Sequence, residues 1–371
     1  MKKNWPLKVF ISLCLLIPVA FSFRTFDQYG TPKLTIFYLG AGLLLLAILN
    51  AYPSLMMLPK YLLWAFGFFI SMQAWQTFRL TNIPAGLWGA YGQSESLLVQ
   101  IGFTIISLAG FLFIRDEESR RKIRGTLLLA VYLVGIYGIF QYLYGDPITQ
   151  TFTTRMKSFF GDPNALGAFL VLTLPIILVE MKYYSRSLQG ILTAGALFIG
   201  VIALFLTFSR SAWLGFILSL VPLIYQSLLR FFRHKRFNQH DWLLIGVVCL
   251  LISAGMLCGQ ILTHFQTIAD REYTLPARVS SLAQGNDSGR ALIWSTAWQA
   301  FKKSPFLGYG IGSFQLSFHR FKSPAAVKFW TPERDLREVH NETLHYLATQ
   351  GILGLLAYFG LLTSLFWATK G

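Results

Sequence analysis

Residues 190–208 read GILTAGALFIGVIALFLTF, nineteen residues without a charge. A helix of that length extends about 28 Å, close to the roughly 30 Å hydrocarbon core of a bilayer. Similar apolar runs recur along the chain, at residues 9–23, 34–49, 61–76, 97–114, 126–143, 165–181, 212–229, 242–262 and 341–366. The sequence therefore predicts an all-α fold, a polytopic transmembrane helical bundle of about ten spans. We treat residues 1–371 as a single membrane domain.

Composition supports a membrane protein and argues against nucleic acid as a partner. Hydrophobic residues make up 54% of the chain and charged residues 13%, roughly half the charged share of a soluble domain. The net charge is +16, but Lys and Arg fall mostly in short loops between apolar runs, where they set membrane orientation. The three cysteines have no spacing suited to a metal or a structural disulfide. We expect membrane lipids as partners, and neither a metal nor another cofactor.

The distribution of basic residues predicts the orientation. With the N-terminus in the cytoplasm, the cytoplasmic segments hold 16 of the 32 Lys and Arg residues, and the short outer loops hold 6. The other 10 lie in one long loop, which the positive-inside rule does not count. We therefore expect a multi-pass protein with a cytoplasmic N-terminus and a large, partly helical extracytoplasmic loop at about residues 263–339, between the ninth and tenth spans.

The long loop is expected to carry a function, because ordered loops of this length are uncommon otherwise. Apolar residues recur in it at helical spacing: Ile293, Trp294, Ala297, Trp298 and Phe301. They predict an amphipathic helix along the membrane surface, with both Trp side chains at headgroup depth. The glycines of Gly308–Gly312 imitate a dinucleotide fingerprint, but no strand precedes them, so a turn after Pro305 explains them better.

Two arginines lie at predicted helix starts on the outer side. Arg210, in the Ser209–Trp213 turn between the seventh and eighth spans, opposes both the helix macrodipole and the orientation rule, so an anion should compensate it. Arg290 follows Asp287 and Ser288, and its planar donors suit a phosphate together with the free N–H groups of the first helical turn. The alternatives are an arginine that reaches lipid headgroups at 210 and an ordinary capped surface helix at 290.

Two further polar motifs lie at the same predicted face. Phe160–Gly167 brings Asn164 to the start of the sixth span, where a helix cap is the simpler interpretation. His340–His345 stands where the long loop re-enters the membrane. The imidazole of His340 is a candidate proton carrier, although an interfacial His is more often a plain hydrogen-bonding residue. The convergence of all four motifs at one face is the main indication of a functional site.

At these residues the sequence resembles the O-antigen ligase and O-antigen polymerase (Wzy-like) superfamily of bacterial membrane glycosyltransferases. The stretches that carry the resemblance lie mostly in the second half of the chain: Gly161–Leu174, Thr207–Gly215, Gly289–Gly310 and His340–Gly354. Members resemble the GT-C glycosyltransferases, which use lipid-linked donors.

The resemblance implies metal-independent transfer of a glycan from an undecaprenyl-diphosphate carrier to the hydroxyl of a glycan, lipid or protein acceptor. The site would face outward from the bacterial inner membrane. The family's two functional arginines map onto Arg210 and Arg290, and its histidine maps onto His340. We expect these three to be catalytic, and we expect the substrate to be bound by Arg210, Arg290, Asn164, Asn341 and Ser209. Two arginines can stabilise a departing diphosphate as a metal would elsewhere, and direct displacement would invert the anomeric carbon.

Two alternatives remain at this stage. A cell-surface polysaccharide polymerase of the same superfamily would have the same motifs. A membrane transporter or flippase is the alternative from another class, since about ten spans and few outer charges also suit a carrier. Transporters place binding groups near the middle of the bilayer and often repeat one half of the fold. The predicted spans hold almost no ionisable residue at that depth, and no repeat is visible.

Overall fold

Helix dominates the part of the chain that the computed structural model describes, which comprises residues 4–80, 82–89, 95–151, 155–184, 187–234, 245–246, 248–249, 251–257, 288–329, 336 and 338–369. The helices are α1 (Trp5–Val19), α2 (Gly30–Asn50), α3 (Tyr52–Leu55), α4 (Lys60–Phe78), α5 (Ile83–Trp88), α6 (Leu97–Phe113), α7 (Glu117–Tyr144), α8 (Pro163–Tyr184), α9 (Leu188–Leu206), α10 (Arg210–His234), α11 (Ser288–Lys303), α12 (Phe314–Phe321), α13 (Pro324–Phe329) and α14 (Glu342–Ala368). The all-α prediction is confirmed.

Six of these helices are long and apolar enough to cross a membrane: α2, α7, α8, α9, α10 and α14. α1 and α6 are shorter apolar helices. Each predicted span except the ninth coincides with a helix, and the ninth lies largely outside the described residues. The chain is a polytopic helical protein, as expected, and the number of ten spans stays a prediction.

The chain divides into two compact units, the first of which comprises Met1–Phe37 and Ile114–Gly285. In this unit α8 packs against α9 and α10, and α7 packs against α1, α8 and α9. Leu166, Leu170 and Leu174 recur every four residues along α8, which places them on one helix face, and all three are fully buried. This leucine face forms the centre of the unit's core with the apolar side chains of α9.

The second unit comprises Tyr38–Phe113 and Asn286–Gly371. In it α4 packs against α6 and α14, and α11 packs against α12, α13 and α14. The single membrane domain expected from the sequence stays a prediction.

The last helix, α14, is interrupted at Gly351, where one continuous span is predicted. Gly351 has φ 66° and ψ −168°, a conformation that suits glycine. The backbone groups released at the break pair with the long loop, since the Ile352 N–H donates to the Pro305 carbonyl at 2.8 Å. A Cβ on Gly308 would collide with the Thr349 carbonyl. The predicted turn after Pro305 is confirmed, and its glycines let the two backbones touch.

Buried amide side chains surround this break. Gln73 and Gln76 of α4 are fully buried, and Gln350 is 4% exposed. Gln73 Nε2 donates to Gln350 Oε1 at 2.9 Å, and Gln76 Nε2 donates to the Gln350 carbonyl at 3.4 Å. Unpaired amides are costly in an apolar environment, so these bonds fix α4 against α14 at the break.

The amphipathic helix predicted in the long loop is α11, and its apolar face packs on protein. Ile293, Ala297 and Ala300 are buried in a cluster with side chains of α12 and α14. Trp294 and Trp298 stay 38% and 47% exposed at the edge of this face. Their position at headgroup depth stays a prediction.

Candidate functional site

A polar cluster in the first unit brings together two residues predicted to bind substrate. Ser209 Oγ donates to Asn164 Oδ1 at 2.9 Å, which joins the start of α8 to the turn before α10. Arg155 Nη2 donates to the same Asn164 oxygen at 3.2 Å, and Arg155 Nε donates to the Thr207 carbonyl at 2.8 Å. Arg155 thus braces the turn that carries Arg210.

The interpretation of Asn164 as a helix cap is wrong. Asp162 Oδ1 accepts hydrogen bonds from the backbone N–H groups of Asn164 and Ala165, at 2.8 and 2.9 Å, so Asp162 caps α8. The Asn164 side chain instead contacts the other members of the cluster, and its oxygen accepts hydrogen bonds from Ser209 and Arg155.

Arg210 is the first residue of α10, as the sequence predicts, and a constrained turn sets its position. Phe208 is buried with φ 49°, a left-handed conformation that costs energy for a residue with a Cβ. The Ser209 N–H donates to Thr207 Oγ1 at 3.1 Å, and the Trp213 N–H donates to the Ser209 carbonyl at 3.0 Å. These bonds hold the turn, so α10 begins with a defined direction and with Arg210 at its positive end.

Asp146 anchors the connection between α7 and α8, which also contains Arg155. Its carboxylate is completely buried and accepts hydrogen bonds from Thr149 Oγ1 at 2.6 Å and from Tyr29 Oη at 2.7 Å. Burial alone would raise the pKa of Asp146, but these hydrogen bonds hold the pKa below its ordinary value. Burial, reinforced by the bond to Asp146, raises the pKa of Tyr29, so the phenol stays a donor. Lys157 Nζ lies 3.6 Å from the carboxylate and balances its charge.

Arg290 lies in the first turn of α11 and is partly buried, next to the buried Gly289. Asp287, which with Ser288 is a candidate cap for this helix, lies outside the described residues. One turn later Trp294 Nε1 donates to the Val339 carbonyl at 3.1 Å, immediately before His340. The start of α11 is therefore tied to the segment that carries the predicted catalytic histidine.

His340 precedes α14 and has a left-handed backbone with φ 54°. Its side chain is 41% exposed, and its Nδ1 lies 3.8 Å from Glu338 Oε2. Asn341 is the N-cap of α14, since its Oδ1 accepts from the Leu344 N–H at 3.1 Å. Strained residues of this kind persist only where the surrounding structure holds them, and they are found preferentially at functional sites. The imidazole is thus exposed at a capped helix start.

Sequence reasoning missed a histidine–carboxylate pair in the second unit. His345 is buried in α14, and its Nε2 lies 2.8 Å from Glu95 Oε2 at the start of α6. The residues are far apart in the chain, so no local pattern indicates the pair. Arg155 was also missed, although an arginine in a short loop predicted to lie outside opposes the orientation rule, as Arg210 does.

The structure brings the predicted residues together in two groups. Asn164, Ser209 and Arg210 belong to the first unit, while Arg290, His340 and Asn341 belong to the second. Convergence of the two groups on one substrate stays a prediction.

Residues 195–359 match a family model described as O-antigen ligase. The matched segment contains Arg210, Arg290 and His340, whereas Arg155 and Asn164 precede it. The chain has no match among curated proteins and none among solved structures. The family match confirms the resemblance predicted from the sequence.

Proposed function

We propose that this chain, whose residues 195–359 match the O-antigen ligase family model, transfers a glycan from an undecaprenyl-diphosphate carrier to an acceptor hydroxyl outside the cytoplasm. One observation carries the proposal: the three residues that resemble the family's functional residues all stand at helix starts within the matched segment. Arg210 begins α10, Arg290 lies in the first turn of α11, and His340 precedes α14.

These residues can divide the chemistry between them. The acceptor oxygen attacks the anomeric carbon while neutral His340 accepts its proton. The bond from that carbon to the diphosphate oxygen breaks, and the electron pair leaves on the diphosphate. Arg210 and Arg290 bind the charge that develops there, each with paired N–H donors and the N-terminus of its own helix. Direct displacement inverts the anomeric carbon, and the two arginines take the place of a metal.

The polar neighbours have supporting roles in this proposal. The Asn164 oxygen accepts from Ser209 and Arg155, which directs the amide N–H donors of Asn164 to a phosphate or sugar oxygen of the donor. Ser209 fixes the turn before Arg210. Asn341 stabilises the helix start behind His340. Asn341 and Ser209 also contact substrate in this proposal, but those contacts contribute less than their roles in holding the two helix starts.

Transfer is tested with purified protein in proteoliposomes that contain a defined undecaprenyl-diphosphate oligosaccharide and an added acceptor. We expect a glycosylated acceptor and free undecaprenyl diphosphate in equal amounts. A polymerase would instead lengthen the lipid-linked glycan. Movement of the lipid-linked glycan between leaflets without product would contradict the proposal and support a flippase.

Site-directed labelling tests the orientation in the inner membrane. In a chain without native cysteines, Ala325→Cys should react with a membrane-impermeant maleimide in spheroplasts, because residue 325 is exposed in the predicted outer loop. Glu118→Cys, exposed at the predicted cytoplasmic start of α7, should react only after permeabilisation. The reverse pattern would refute the extracytoplasmic site.

A further inference from the structure

A largely buried histidine–carboxylate pair joins the first turn of α14 to the start of α6. His345 Nε2 and Glu95 Oε2 lie 2.8 Å apart, with side chains 7% and 32% exposed. We assign the shared proton to the imidazole Nε2 of His345, which then donates to the Glu95 carboxylate oxygen. Glu95 is itself held at a helix start, since the next residue, Ser96, is buried and its Oγ accepts from the Val99 N–H at 3.3 Å.

The pair lies one helical turn beyond His340. The backbone N–H of His345 donates to the Asn341 carbonyl at 2.8 Å, and this bond closes the first turn of α14. The Asn341 side chain caps the same turn through the Leu344 N–H. A displacement of His345 would therefore loosen the turn to which His340 is directly connected.

Stability alone gives a weak reason for such a pair. Removing a carboxylate and its histidine partner from water costs about as much as their interaction returns, so such a pair contributes little net stability. The left-handed backbone of His340, however, persists only where its surroundings hold it. An anchor in the adjacent helical turn meets that requirement.

We propose that Glu95 and His345 are positioning residues, which fix the first turn of α14 and thereby aim the His340 imidazole at the acceptor hydroxyl. The inference rests on the proposed function only for the role of His340. His345 does not exchange a proton with substrate in this scheme, and Glu95 binds neither donor nor acceptor.

The test compares disruptive with conservative variants in single-turnover transfer at saturating lipid-linked donor. Glu95→Ala and His345→Ala should each slow transfer roughly tenfold and leave donor affinity unchanged. This loss is smaller than the ~10²-fold cost of misplacing a catalytic group by ~1 Å, because the cap of α14 remains. Glu95→Gln and His345→Gln retain an acceptor and a donor, so each should stay within about threefold of wild type. The double Ala variant should transfer no more slowly than either single variant, because each substitution breaks the same hydrogen bond. His319→Ala, an exposed histidine of α12, is the matched control.

Three outcomes would overturn the inference. Wild-type rates in both Ala variants would show that His340 needs no such anchor. Equal inactivation by His345→Gln and His345→Ala would make His345 a chemical participant, and a loss of donor affinity alone would make the pair part of the donor site.

Amide hydrogen exchange tests the anchor without any substrate. Exchange at Leu344 and His345 should be faster in Glu95→Ala than in wild type, and close to wild type in Glu95→Gln. Unchanged exchange in Glu95→Ala refutes the anchor even if the chain transfers glycan. Faster exchange in a chain without transferase activity would refute the proposed function and leave the anchor standing.

Discussion

Replacing His340 by Ala is expected to slow glycan transfer by about 10²–10⁴-fold while donor binding stays intact, the range for loss of a general base. An alcohol is a poor nucleophile until its proton is being removed, and a neutral imidazole can accept that proton near neutral pH. His340 stands at the start of α14 with a 41% exposed side chain, so an acceptor can reach it. The measurement is the single-turnover rate with saturating lipid-linked donor, alongside the donor dissociation constant.

The controls for this experiment come from the same unit. Glu342, in the first turn of α14, has a carboxylate that could also accept a proton, and Glu342→Gln should keep the wild-type rate if His340 is the base. His345 would be an unsuitable control, because its bond to Glu95 gives its removal an effect of its own. If His340→Ala weakens donor binding and leaves the transfer rate unchanged, His340 is an anion ligand and the base lies elsewhere.

The sequence predicted where the helices are because a membrane span must satisfy its own backbone and cross about 30 Å. It predicted their ends less well. α7 begins at Glu117, nine residues before the predicted span at 126–143. Asp116 caps it through the Ser119 N–H, and ion pairs of Glu117 with Arg120 and Arg124 extend the helix beyond its apolar part. An apolar run alone does not predict how far such caps and ion pairs extend a helix.

Residues of the candidate site could be predicted from the sequence where they depart from the positive-inside rule. An arginine such as Arg210, at a helix start predicted to lie outside, is conspicuous in the sequence, whereas Glu95 is an ordinary acidic residue until the fold brings it to His345. The break at Gly351 was also invisible, because glycine is common within membrane helices. Its partner, the Gly308 turn, is more than forty residues away in the long loop.

Replacing Arg210 or Arg290 by Ala is expected to lower transfer by about 10²-fold or more, the scale of losing one preorganised donor to a developing anion. Arg210→Lys and Arg290→Lys should recover little of the loss, because an ammonium lacks the paired planar donors that fit two phosphate oxygens. Arg233→Ala removes an exposed arginine near the other end of α10 and should keep the wild-type rate.

The same assay separates an arginine site from a metal site. Two guanidinium groups at helix starts can bind the leaving diphosphate without a divalent ion, so the rate of transfer should survive EDTA. The arginine site requires both results, the loss of transfer in the Ala variants and the survival of wild-type transfer in EDTA. Near-normal transfer by both Ala variants at normal expression would exclude it, and recovery of an EDTA-treated enzyme by Mg²⁺ or Mn²⁺ would assign the diphosphate to a metal. Loss in only one variant would confine the site to the unit that contains that arginine.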